Sequence, residues 1–135
     1  MNFQFSDTWL LHSILNTEKK DTGAEMKDII AFADYTNHSI MEYEEFAGGI
    51  EKLLAAGLIL PVGKNYSTSE EFKVWFKSKF NKKIRMNVQK EFTGIENYLN
   101  AHFPDGPSNV VSSDFRKQCS EEEFRKVISG YLEPA

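Results

Sequence analysis

Three histidines, one cysteine and a scatter of carboxylates are the groups in this 135-residue chain with the chemistry to ligate a metal or carry a nucleophilic reaction. Such sites need their ligands at spacings that bring them to one side of an element, as two histidines four residues apart on a helix are. His12, His38 and His102 are far apart, and none has a carboxylate partner at such a spacing. His102, Asp105 and Cys119 could meet only by straddling the loop Pro104-Asp105-Gly106-Pro107-Ser108. Cys119 lacks the adjacent histidine or the G-x-C setting of a nucleophile, and reads as a small packing residue near a helix start. Gly48-Gly49 falls within a helical pattern rather than between a strand and a helix, where glycines cradle phosphate. The expectation is a protein that is not an enzyme, with no metal site and no cofactor.

Charge is the remaining chemical signal, and it is uneven. Residues 1–65 hold 5 Lys and Arg against 10 Asp and Glu, residues 66–103 hold 7 against 4, and residues 104–135 hold 4 against 6. A formal net charge of −4 argues against broad electrostatic adhesion to nucleic acid or anionic membrane. The basic cluster Lys73, Lys77, Lys79, Lys82, Lys83 and Arg85 could meet phosphates or an acidic partner, or simply form a solvated helix face. Lys64, in a predicted hairpin turn, and Lys19-Lys20 are further candidate phosphate contacts.

The elements that must position these groups follow from hydrophobic spacing. Tyr43, Phe46, Ala47, Ile50, Leu53 and Leu54 fall on one stripe of a 3.6-residue helix, and Gly57 supplies its stop. Leu58-Ile59-Leu60-Pro61-Val62, a turn at Gly63-Lys64-Asn65, and Tyr66-Ser67 predict a tight hairpin whose Pro61 strand lies at an edge. Upstream, Ser6 is the expected cap of a first helix to about Thr17, with Phe5 and Leu10 as its hydrophobic staple. Thr22 and Glu25 are the expected capping box of a second helix to about Tyr35. A short strand is expected at Ser39-Ile40-Met41, with Ile40 pairing against the hairpin. Downstream, Thr68 with Glu71 caps a helix carrying Phe72, Trp75 and Phe76. With Asn81-Lys82-Lys83 as a candidate break, residues 70–101 read as one helix or two. Residues 110–113 can be extended, and Ser120 with Glu123 caps a last helix carrying Phe124, Val127, Ile128 and Tyr131.

At 41% hydrophobic, the chain can bury a proper core. Its apolar runs are too short to span a bilayer, and its start lacks the pattern of a signal peptide, so the expected location is cytoplasmic. The single Cys119, which has no internal partner for a disulfide, agrees with a reducing compartment.

The order helix, helix, strand, helix, hairpin, carried by Ser39 to Phe46, Leu53 to Ile59 and Tyr66-Ser67-Thr68, resembles the winged helix-turn-helix superfamily of prokaryotic DNA-binding regulators over about residues 6–80. The resemblance implies a mainly α fold with a small β-hairpin: a winged helix-turn-helix domain at residues 1–80 followed by a C-terminal helical extension at 81–135. It implies that the helix from Tyr43 enters the major groove and that the loop Val62 to Asn65 is the wing. Candidate DNA-contacting residues are then Glu45, Gly48, Lys52, Lys64, Asn65 and Tyr66, and candidate phosphate contacts are Lys19, Lys20, Lys73 and Lys77.

Projected at 100° per residue, the face opposite Phe46 and Ile50 carries Glu45, Gly48, Lys52 and Ala55, flanked by Glu44 and Glu51. A base-reading face is usually richer in Arg, Lys, Asn and Gln. Two functions therefore stand: a small DNA-binding transcriptional regulator, and a winged-helix protein–protein interaction module that leaves DNA alone. The aromatic stripes of the tail, Phe92, Tyr98, Phe103, Phe115, Phe124 and Tyr131, must bury against the first domain or against a second copy, and a homodimer is the expectation.

Overall fold

Helix α1 (Phe5–Thr17) lies at the centre of the protein, because its residues from Asp7 to Ile14 are buried on every side. The computed structural model describes residues 2–80, 85–108 and 114–132. Around α1 pack α2 (Met26–Asn37), α3 (Tyr43–Ala55) and α5 (Val88–His102), together with strand β2 (Asn65–Thr68) of a hairpin whose other strand is β1 (Ile59–Val62). Helix α4 (Glu70–Lys79) follows the hairpin, and α6 (Asp114–Gln118) and α7 (Glu121–Leu132) close the chain. The architecture is mainly helical with one small antiparallel hairpin, as the spacing predicts. Among the described residues, no helix is long and apolar enough to cross a membrane.

Two of the polar side chains that α1 carries inside are matched by backbone carbonyls. Trp9 Nε1 donates to the Ala33 carbonyl at 2.9 Å, and Ser13 Oγ donates to the Trp9 carbonyl at 2.8 Å. Helix α3 forms where its stripe predicts, with Phe46, Ala47, Ile50 and Leu53 buried and Gly57 at φ 72° turning the chain away. The hairpin pairs Ile59 with Thr68 and Val62 with Asn65, turning through Gly63 at φ 62°.

Several local expectations change once tertiary partners are present. The strand expected at Ser39-Ile40-Met41 does not form. Tyr66 pairs instead with Ala24, through Ala24 N–H to the Tyr66 carbonyl at 2.7 Å and Tyr66 N–H to the Ala24 carbonyl at 3.3 Å. Gly23 makes this approach possible: it sits at φ 73°, and a Cβ there would lie 2.8 Å from the Tyr66 oxygen. The third strand position therefore lies between the first two helices rather than between the second and third. Thr22 and Glu25 make no capping box, because Thr22 gives its carbonyl to the hairpin and α2 starts at Met26. Helix α1 starts one residue before Ser6, and the Gln4 N–H is taken by Asp7 at 2.7 Å. Phe5 meets Trp9 and Phe92. Ser69 rather than Thr68 caps α4, since Thr68 is buried against the Glu18 carboxylate.

Residues 70–101 form two helices. The chain comes back after α4 so that Phe80 covers Gly94, where a Cβ would meet the ring at 2.6 Å. The expected break at 81–83 and the expected extended stretch 110–113 lie outside the described residues. Helix α5 docks on α1 through a face that buries Phe92, Ile95 and Leu99, whereas α6 and α7 cross to α2 and α3. The Ser120–Glu123 capping box of α7 forms in both directions, each bond at 3.2 Å.

Candidate interaction face

The outward side of α3 starts with acids because acids favour a helix N-terminus, and Glu45 also accepts the Glu42 N–H at 2.9 Å. Glu44 and Glu51, seven residues apart, lie on one stripe, and Arg116 of α6 spans them. Its guanidinium donates to both oxygens of Glu44, at 3.1 and 3.2 Å, and to Glu51 at 3.0 Å. It also lies 5.8 Å from the centre of the Tyr43 ring. Planar, forked recognition of carboxylate is what arginine does and lysine does not. The two carboxylates hold the Arg116 guanidinium above its ordinary range, and the Arg116 hydrogen bond holds the Glu44 carboxyl below its own.

Beside this clamp is an aromatic notch between α3 and the hairpin. Phe115 fills it, with ring centres 5.4 Å from Phe46, 6.4 Å from Tyr43 and 6.5 Å from Tyr66. Phe124 of α7 adds contacts at 5.3 Å to Phe46 and 5.6 Å to Tyr43. Two hydrogen bonds fasten the cover: Tyr43 Oη donates to the Cys119 carbonyl and Tyr131 Oη to Asp34 Oδ2, both at 2.8 Å. Burial raises the Tyr43 phenol and the Cys119 thiol above their usual values. The Asp34 bond does the same to Tyr131. Chemically, this is an acidic, aromatic face gripping a helical segment that offers an aromatic ring and an arginine side by side.

The residues expected to meet DNA divide between this face and the interior. Lys52, projected outward by helix geometry alone, is 6% exposed, with its ammonium 2.5 Å from the buried Asp7 carboxylate. The expectation that it approaches bases is corrected, because the start of α1 lies against α3 and supplies its counter-ion. Tyr66 is corrected in the same way, being a core residue under Phe115. Asn65 donates to the Thr22 carbonyl at 2.8 Å. Lys73 is 3.1 Å from Glu18. Gly48 is open in front, in a shallow depression of about 170 Å³ beside Glu44, Glu45 and Lys52. Lys19, Lys20, Lys64 and Lys77 are exposed. The Asn65–Thr22 bond ties the loop carrying Lys19 and Lys20 to the hairpin turn carrying Lys64.

Sequence reasoning missed Arg116, whose glutamates are 65 and 72 residues away. It also missed the pairing of His12 with Glu91. His12 is fully buried, its Nε2 is 2.9 Å from Glu91 Oε1, and the Phe92 ring centre is 5.0 Å from its own. Among the described residues, His12 Nδ1 has no partner. Among the described residues no group of three His, Cys, Asp or Glu could hold a metal. No family model, curated protein or solved structure matches the chain.

Proposed function

We propose that this chain is a winged-helix protein–protein interaction module, whose third helix and hairpin bind an aromatic and basic helical segment and leave DNA alone while the tail is closed. The order α1, Ala24 bridge, α2, α3, β1, β2 supports the winged-helix reading, with α3 as third helix and the turn at Gly63-Lys64 as wing. The carrying observation is the Arg116 clamp on Glu44 and Glu51: the surface that would read a major groove is acidic, and its Glu44–Glu51 flank is taken by the chain's own α6 while Gly48 stays open. Phosphate oxygens brought to that surface would meet carboxylates, and the only lysine of α3 is neutralised inside. The resting tail thus serves as an internal copy of the kind of partner the face takes.

The regulator reading retains one favourable observation, the exposed trio Lys19, Lys20 and Lys64 around the hairpin turn. It requires α6 and α7 to leave α3. The aromatic stripes that suggested a homodimer are largely satisfied within one chain, with Phe92, Tyr98, Phe115 and Phe124 buried, so the closed protein should run as a monomer.

The test uses the full chain and an opened variant carrying Phe115→Ala and Arg116→Glu. The opened variant should capture a synthetic peptide of residues 114–132, the full chain should not, and neither should retard duplex DNA at low salt. Retardation by either protein that weakens steeply with salt would overturn the reading.

A further inference from the structure

Where the hairpin turn, the start of α2 and the tail converge, the surface sinks into a cavity of about 410 Å³. Its apolar lining comes from Met26, Phe115, Cys119 and Val127, and its charged residues are Lys64, Lys126 and Glu123. The lining has a firm base: Phe115 and Cys119 are buried, and the Cys119 sulfur lies 4.0 Å from that of Met26. Glu123 is already engaged, accepting from the N–H and hydroxyl of Ser120 in the α7 cap. Lys64 and Lys126 are exposed and have no ion pair among the described residues. An apolar pocket of this size with two free ammonium groups matches a ligand with a flat or flexible apolar body and one anionic end.

We propose that this cavity binds a small amphipathic organic anion, its apolar part against Met26, Phe115 and Val127 and its carboxylate or similar group between Lys64 and Lys126. A neutral molecule of the same body gains only the apolar contacts, and an inorganic anion gains only the rim. The two lysines come from the hairpin turn and from α7, so an occupant touches the body and the tail at once. Occupancy therefore favours the closed tail over any arrangement in which α6 and α7 lift away, since a ligand stabilises the state that completes its site. The site is independent of whether the α3 face takes protein or DNA.

The test is titration of the full chain with benzoate, 2-naphthoate and decanoate, following the methyl resonances of its methionines, with 2-naphthamide as the uncharged comparator. At least one of the three acids should bind saturably at or below about 1 mM and shift the Met26 methyl, with 2-naphthamide about tenfold weaker or more. Lys64→Glu with Lys126→Glu, both exposed changes that leave the fold intact, should weaken the acid at least tenfold, and Val127→Trp should fill the space and abolish it. No saturable binding by any of the acids, equal binding of acid and amide, or binding that leaves Met26 unmoved would each overturn the proposal.

Discussion

Replacing Gly48 and Gly49 by alanine, one at a time, should move stability in opposite directions. Both glycines sit inside α3, where each costs about 1 kcal/mol against alanine through backbone entropy. At Gly48 an added Cβ meets nothing within 4 Å, so Gly48→Ala should recover most of that, about 0.5–1 kcal/mol, and raise Tm by about 2–4 °C for a chain of this size. At Gly49 the same Cβ would lie 2.6 Å from Leu10 Cδ2 and 3.2 Å from Asp7 Oδ1. Leu10 is fully buried in α1, so it has no free direction in which to yield. Overpacking costs of about 1–3 kcal/mol then exceed the propensity gain, leaving Gly49→Ala about 1 kcal/mol less stable than the parent. The two variants should differ by about 2 kcal/mol in urea denaturation at unchanged m-value. A Gly49→Ala protein as stable as the parent would refute the close packing of α1 on α3, and a Gly48→Ala protein losing more than about 1 kcal/mol would refute the open space in front of Gly48.

Asp7→Ala should cost about 3–5 kcal/mol, because it strands the Lys52 ammonium at 6% exposure, and Asp7→Leu with Lys52→Met should be far milder; chemical denaturation separates them. Glu91→Ala leaves His12 with no partner on either ring nitrogen among the described residues and should cost about 2–3 kcal/mol in the same assay. The clamp should loosen in acid. Since Arg116 lowers the Glu44 pKa, the contact is fully present above the ordinary carboxylate range and is lost as pH falls through the depressed value; Arg116 side-chain resonances moving toward those of a free arginine below about pH 4 would report it.

Helix α3 and the hairpin are legible in the sequence because each depends on local signals: a single apolar stripe, a glycine stop at Gly57 and a turn at Gly63-Lys64. The role of α1 is not, since a helix buried on all sides has no stripe to find. Asp7, Thr8, His12 and Ser13 look like surface residues until Lys52, the Glu91 carboxylate and backbone carbonyls are placed around them. The short segment Ser39-Ile40-Met41 between the second and third helices looks like the third strand position, whereas Gly23, free to adopt φ 73°, lets the poorer strand former Ala24 reach Tyr66. Lys52 and Tyr66 look outward in the sequence because helix projection and hairpin position say nothing of what another element brings alongside. Arg116 carried no local signal, and its role exists only because α6 returns to α3 after more than sixty residues.

The whole account depends on the tail lying over the α3–hairpin notch, and nuclear Overhauser contacts among the aromatic rings measure that directly. Ring protons of Phe115 should show cross-peaks to Phe46 and Tyr66, and those of Phe124 to Phe46 and Tyr43, at micromolar protein and neutral pH. A spectrum in which Phe46 and Tyr43 have no tail neighbours would contradict it, leaving the third helix bare and the acidic clamp without an occupant.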